Sequence, residues 1–320
     1  MRSDLAQEPG ELAAQPAEDA TVRDPAKIAE DEAVRLAADS VKEKRCILFL
    51  GAGVHAPPPE DSKFEYPVDH RPPIGDALSR LLAEQLDLAS RFPSESSENL
   101  QRVALFFEVL RDRYQLVQAV TAAVQDGKQP SPMLRALSKL DFPIVVTTNY
   151  DRLFENALIK ADKEPRRVVY TPKSEPTEDP GDGSVQSPVL FKLHGDIGHP
   201  DSIVITDEDY IQFVLRMSDK AAFDPIPLTL KFRFTDWTTL FVGYSLLDYN
   251  LRLLFKTLRW GIDPARIPPT YSVDLHPDPL IFDVWHQRRR YVRFIAQDVW
   301  KFVPQLYKYV RGEEFEPDSC

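Results

Sequence analysis

Cysteine is close to absent: the 320 residues contain two, Cys46 inside an apolar run and Cys320 at the end. A disulfide scaffold and any zinc site built from four cysteines are excluded, and a cytoplasmic setting is expected. No apolar run reaches the ~18 residues of a membrane-spanning helix. The opening MRSDLAQEPGELAAQPAED is acidic and lacks the apolar core of a secretory signal, so none is expected. Basic charge is short as well. With 39 Lys and Arg against 50 Asp and Glu, the net charge is −11, which argues against direct nucleic-acid binding, because phosphate neutralisation needs a basic surface. Glycine is scarce at 12 residues, and its clusters are informative: Gly51/Gly53, Gly195/Gly198 and Gly243 each follow an apolar run directly.

What is present is ordinary globular material, 43% hydrophobic and 28% charged. Residues 1–40 hold ten acids and four bases. The part up to about residue 24 has the composition of a mobile acidic tail. From Pro25 to Lys42, Val34, Ala37, Ala38 and Val41 recur at helical spacing. Apolar runs ending near Leu50, Thr148, Tyr170, Leu193, Val242, Asp274 and Ile295 read as strands, and the first is continuous enough to be buried on both faces. Helical patterns lie between them, including 74–88, one long helix at about 98–125, 132–140, 151–160, 247–260 and 279–288. Thr206 and Asp209 open a further helix as a capping pair. Strands alternating with helices predict an α/β fold, a doubly wound Rossmann-like parallel sheet with a helical subdomain (about 74–140) inserted after the first strand. Residues 25–320 are expected to form one domain. The loop 54–73 contains six prolines and is expected to be stiff but not fixed to the core; residues 171–186 are a loop by composition, and either is expected to be able to cover the pocket.

In such sheets ligands bind beyond the carboxyl ends of the strands. Four of those ends carry glycine or polar residues: Gly51-Ala-Gly53, Thr147-Thr-Asn-Tyr-Asp151, His194-Gly-Asp196 and Gly243-Tyr-Ser245. Gly51 and Gly53 are expected to admit a pyrophosphate to exposed backbone N–H groups. Taken singly, each signal has a plain structural reading: a tight turn at Gly51–Gly53, a helix cap at Asn149 or Asp151, a packed histidine at His194. A P-loop is absent, since no Gly-Lys-Ser/Thr follows, and Ala56 stands where the dinucleotide fingerprint has its third glycine. His55 is as compatible with a pocket wall as with a loop surface. His70, His199, His276 and His286 lack metal-ligand spacing, so no metal is expected.

The blocks LFLGAGV, VVTTNYD, FKLHGD and LFVGYSLLD, spread over residues 48–248, together resemble the signatures of the sirtuin superfamily. The likeness is strongest to the zinc-less sirtuin-like NAD-hydrolase domains of prokaryotic antiphage defence proteins. That resemblance implies a sirtuin-like NAD-binding domain with NAD as its substrate. It assigns NAD binding to Gly51, Ala52, Gly53 and Asp151, with Gly243, Ser245 and Asp274 toward the adenosine half. It makes Asn149 and His194 the catalytic pair, Asn149 positioning the ribose and attacking group and His194 acting as general base. Deacetylating sirtuins resemble Gly-Ala-Gly-Ile-Ser and carry two cysteine pairs; this chain has His55 in place of the serine and no such cysteines. Water is therefore the expected acceptor, giving nicotinamide and ADP-ribose. Protein deacylation and a non-catalytic NAD or ADP-ribose sensor are the alternatives. An NAD-depleting antiviral effector, acting by abortive infection, further implies restraint by homo-oligomer assembly or by a partner such as a co-encoded ATPase or nucleic-acid-sensing protein.

Overall fold

The computed structural model describes residues 25–172, 179–218, 226–244, 246, 267–279 and 292–317. The acidic tail 1–24, Ser245, the helix expected at 247–260 and all but the first residue of the helix expected at 279–288 lie outside the described residues. Seven strands form one sheet: β1 Cys46–Leu50, β2 Ile144–Thr147, β3 Arg166–Val169, β4 Val189–Lys192, β5 Thr238–Val242, β6 Thr270–Val273 and β7 Val292–Ile295. Their order is β3-β4-β2-β1-β5-β6-β7, and every pairing is parallel. From β1 the chain passes to β2, out to β3 at the edge and back to β4 on one side, then crosses to β5 and runs outward through β6 and β7 on the other, so β1 and β5 flank the point where a ligand crevice opens.

The continuous apolar strands are explained by two covered faces. On β1, Cys46, Leu48 and Leu50 join one core with α1 (Pro25–Lys42), α6 (Pro132–Ser138), α7 (Leu153–Lys160) and α10 (Val299–Arg311). Ile47 and Phe49 point the other way, toward Phe213 on α8 (Asp207–Ser218) and Leu230 and Phe234 on α9 (Leu228–Asp236). Each such fully buried large side chain contributes about 1.5–3 kcal/mol. Burial also pushes the Cys46 thiol up, leaving it protonated and inert.

Between β1 and β2 stand α2 (Gly75–Gln85), α3 (Leu88–Arg91), α4 (Leu100–Leu110) and α5 (Arg113–Val124), with a core of their own. The single helix expected at 98–125 is two. Asp112 interrupts it in an extended conformation and caps α5, its carboxylate accepting from Gln115 N–H at 2.7 Å. Helical periodicity runs across the break because both pieces bury the same kind of face, and only the capping chemistry marks it. Helix α9 had no counterpart in the sequence reading.

The loop 54–73 also departs from expectation, for it is anchored to the core. Phe64 and Tyr66 are buried against Trp300, whose indole N–H donates to Ala56 O at 3.2 Å, and Tyr66 OH donates to Gln129 O at 2.9 Å. The six prolines stiffen a strap whose aromatic residues hold it down. Ser131 ties the same strap to α6: its hydroxyl accepts from Leu134 N–H at 3.1 Å and donates to Val54 O at 3.4 Å. Ser131→Ala should therefore lower stability by about 1 kcal/mol, the usual value of an N-cap, as measured by urea unfolding.

Candidate functional site

The C-terminal ends of β1 and β5 meet through glycines. Gly51 N–H donates to Val242 O at 3.1 Å, and Gly53 N–H donates to Gly243 O at 2.8 Å. A Cβ on Gly51 would lie 2.4 Å from Gly243 O, and one on Gly53 would lie 2.8 Å from it. Gly243 itself has φ +68°, and its Cβ would stand 2.2 Å from Val54 N. Side chains are excluded here by backbone meeting backbone. The expectation of exposed Gly51 and Gly53 N–H donors is thus corrected: both groups are spent in joining the two turns.

Two cavities adjoin this junction and share Tyr244 as a wall. The first, of about 210 Å³, is lined by Ala52, His55, Asn149, Asp151, His194 and Tyr210, with an apolar side from Pro72, Pro73, Leu78, Leu100 and Val124. The second, of about 520 Å³, is lined by Gly53, Pro57–Pro59, Gly243, Asp274, His276 and Trp300. Asn149, Asp151, His194 and Ala52 are brought to the first cavity, whereas Gly53, Gly243 and Asp274 face the second. Gly51 lines neither, and Ser245 is not described.

Asn149 is held by its neighbours. Its backbone N–H donates to Thr147 Oγ1 at 3.1 Å, and Nδ2 donates to Gly51 O at 3.3 Å. Among the described residues its Oδ1 is buried without a hydrogen-bond partner, an unmet acceptor on a cavity-lining side chain. Asp151 precedes the N-cap residue Arg152 of α7, and its Oδ1 accepts from Leu153 N–H, the first of the helix, at 2.9 Å, as the helix-cap reading expected of this turn. His194 is buried. Its Nδ1 lies 3.4 Å from Tyr210 OH, and its ring packs edge-to-face on Tyr210 and Phe213 at 5.2 and 5.5 Å.

Under the cavity floor lies a charged cluster that the sequence reading missed. Lys192, at the end of β4, is fully buried; its ammonium donates to Asp151 O and lies 3.7 Å from both Glu155 Oε1 and Asp196 Oδ2. Arg152 completes the cluster, 2.7 Å from Asp196 Oδ1. Burial alone would raise the Asp151 and Asp196 carboxyls, but the cations and hydrogen bonds outweigh it and hold both below the usual carboxylate range. For Asp151 these are His55, Lys192 and Leu153 N–H; for Asp196, Arg152, Lys192 and Gly198 N–H. Glu155 goes the other way, pushed up by burial that Lys192 only partly offsets. A lysine inside an apolar strand, followed four residues later by an aspartate, was the available signal.

Residues 143–295 match the SIR2-like domain family, so the sirtuin resemblance holds over β2 to β7. The chain is similar to NAD(+) hydrolase ThsA of Acinetobacter baumannii (strain 532279), at 27% identity over 68% of this chain and 40% of that protein. It is 34% identical to NAD(+) hydrolase ThsA of Bacillus cereus (strain MSX-D12) over 39% of this chain and 24% of that protein. Defense-associated sirtuin 2 of Bacillus subtilis matches at 23% identity over 71% of this chain and 20% of that protein. The aligned region thus spans two-fifths or less of the length of each of these relatives.

Two predictions follow from the packing and the charges. Gly243→Ala, strained at positive φ and clashing with backbone, should cost at least about 2 kcal/mol in urea unfolding. Asp196→Asn should cost about 3–5 kcal/mol at pH 7, because it strands Lys192 and Arg152, whereas Glu155→Gln should be close to neutral. Since the native Asp196 carboxyl is depressed, its contribution is present above the ordinary carboxylate value and lost as pH falls through the native one. The gap between wild type and Asp196→Asn should accordingly close below about pH 4.

Proposed function

We propose that this chain, with its SIR2-like domain, is an NAD⁺ hydrolase that cleaves the nicotinamide–ribose bond. The observation that carries the reading is the meeting of Asn149, Asp151 and His194, from two different strand ends, in one cavity beside the β1–β5 switch point. The names of its relatives support it. A second cavity across Tyr244, with the Asp274 carboxylate on its wall, offers room for the adenosine half, while the smaller cavity suits the nicotinamide riboside.

The chemistry asks little acid assistance, because nicotinamide leaves a cationic ring nitrogen as a neutral molecule. Positive charge develops at the anomeric carbon, where one water must be placed and bulk water excluded. The Asn149 Oδ1 acceptor can orient a ribose hydroxyl or that water. The water oxygen bonds to the anomeric carbon as the glycosidic bond breaks. His194 takes a water proton, and the products are nicotinamide and ADP-ribose.

In the cell we read this activity as NAD depletion in antiviral defence, cytoplasmic and restrained by assembly. Val109 on α4 and Tyr114 on α5 stand 73% and 68% exposed, which suits these helices to contact a second copy or a partner such as a co-encoded ATPase or nucleic-acid sensor. Light scattering should show a homo-oligomer, with turnover rising on higher assembly; full activity from a dilute monomer would contradict this.

The enzymatic reading is tested by following nicotinamide release from NAD without any peptide. Release without peptide excludes an obligatory deacylase, and release at all excludes a pure sensor. Asn149→Ala should lower turnover by about 10²–10⁴-fold. His194→Gln should do the same and is preferable to His194→Ala, since the ring is buried among aromatics and its truncation also costs packing.

A further inference from the structure

His55 ends the short 3₁₀ turn Ala52–His55 that follows β1. It is only 3% exposed, a buried position that a loop surface reading did not anticipate. Its Nε2 lies 3.3 Å from Asp151 Oδ2 and 3.5 Å from Asn149 Nδ2. These two contacts make opposite demands on one nitrogen. An ionised carboxylate oxygen can only accept, so toward Asp151 the nitrogen must carry a proton; an amide NH₂ can only donate, so toward Asn149 it must not. The charge-assisted bond is the stronger. The hydrogen therefore points at Asp151, and the contact with the amide is packing.

The orientation of the Asn149 amide is identified by a second contact, because Gly51 O can only accept and Nδ2 donates to it. Among the described residues Oδ1 is thereby left as the unmet acceptor of the side chain. Were Asp151 not to hold the His55 N–H, that donor would stand within reach of the Asn149 amide and could draw Oδ1 toward itself, against Gly51. We infer that His55 is a positioning residue: clamped by Asp151, it walls the Asn149 amide into one orientation and keeps Oδ1 for the ribose hydroxyl or the attacking water. This role rests on the NAD-hydrolase reading. Asp151 then acts at one remove, with both its oxygens engaged inside the protein by Leu153 N–H and by His55.

The test has an arm that needs no turnover. Nitrogen-15 NMR of ring-labelled histidine in the wild-type protein should show His55 with a proton on Nε2, and Asp151→Asn should alter that signal. A neutral ring protonated on Nδ1 alone would overturn the inference whether or not NAD is cleaved. In the kinetic arm, His55→Ala should lower kcat by about 10–100-fold, the scale of a misplaced reacting group, with KM for NAD within about 3-fold. His55→Gln, which restores an N–H donor toward Asp151, should recover most of that loss. A kcat for His55→Ala within twofold of wild type, or a His55→Gln protein as impaired as His55→Ala, would also overturn it. If the wild-type protein releases no nicotinamide, the hydrolase reading fails, while the NMR arm still reports on the His55–Asp151 pair.

Discussion

The architecture of the site depends on one backbone contact, the bond from Gly53 N–H to Gly243 O at 2.8 Å. Parallel strands β1 and β5 bring their C-terminal ends side by side, and the two turns that leave them must then occupy almost the same space. Only glycines allow it: a Cβ at 51, 53 or 243 would stand under 3 Å from backbone atoms of the other turn. Because the turns touch, the space beyond the strand ends is divided into two cavities that share Tyr244. Glycine scarcity elsewhere in the chain makes sense against this use, since each glycine in a strand or helix interior costs conformational entropy.

The strand framework was legible in the sequence because a sheet covered on both faces leaves apolar runs, fully buried at β1, β2, β4 and β5 and broken by exposed residues only at the edge strands β3 and β7. The strand ends were legible too, since glycine, Asn149 and His194 interrupt those runs abruptly. What escaped has a common cause: it depends on partners distant in the chain. For His55 the pocket-wall and loop-surface readings stayed undecided because its burial depends on Asp151, 96 residues on. The loop 54–73 is pinned by Trp300, 244 residues beyond Ala56. The break at Asp112 was a local matter, yet the apolar pattern on either side concealed it. Exposed N–H donors at Gly51 and Gly53 were inferred from a motif whose donors are occupied here by Val242 and Gly243.

The buried charges under the cavity pose a different question, since replacing such a cluster by apolar residues is often neutral or stabilising. Lys192 is taken fully out of water, and its two carboxylate partners sit at 3.7 Å, longer than a good hydrogen bond. Its one direct bond is to the carbonyl of Asp151, in the turn that carries Asn149 and starts α7. The arrangement is better understood as fixing that turn than as adding stability. Two elements hold the Asn149–Asp151 turn from opposite sides: the ammonium of Lys192 from below and the imidazole of His55 from the cavity wall. The contact from below is buried at the end of β4, where the Lys192 ammonium donates to the Asp151 carbonyl. The one from above touches the cavity, where a single imidazole N–H toward Asp151 holds the wall beside Asn149.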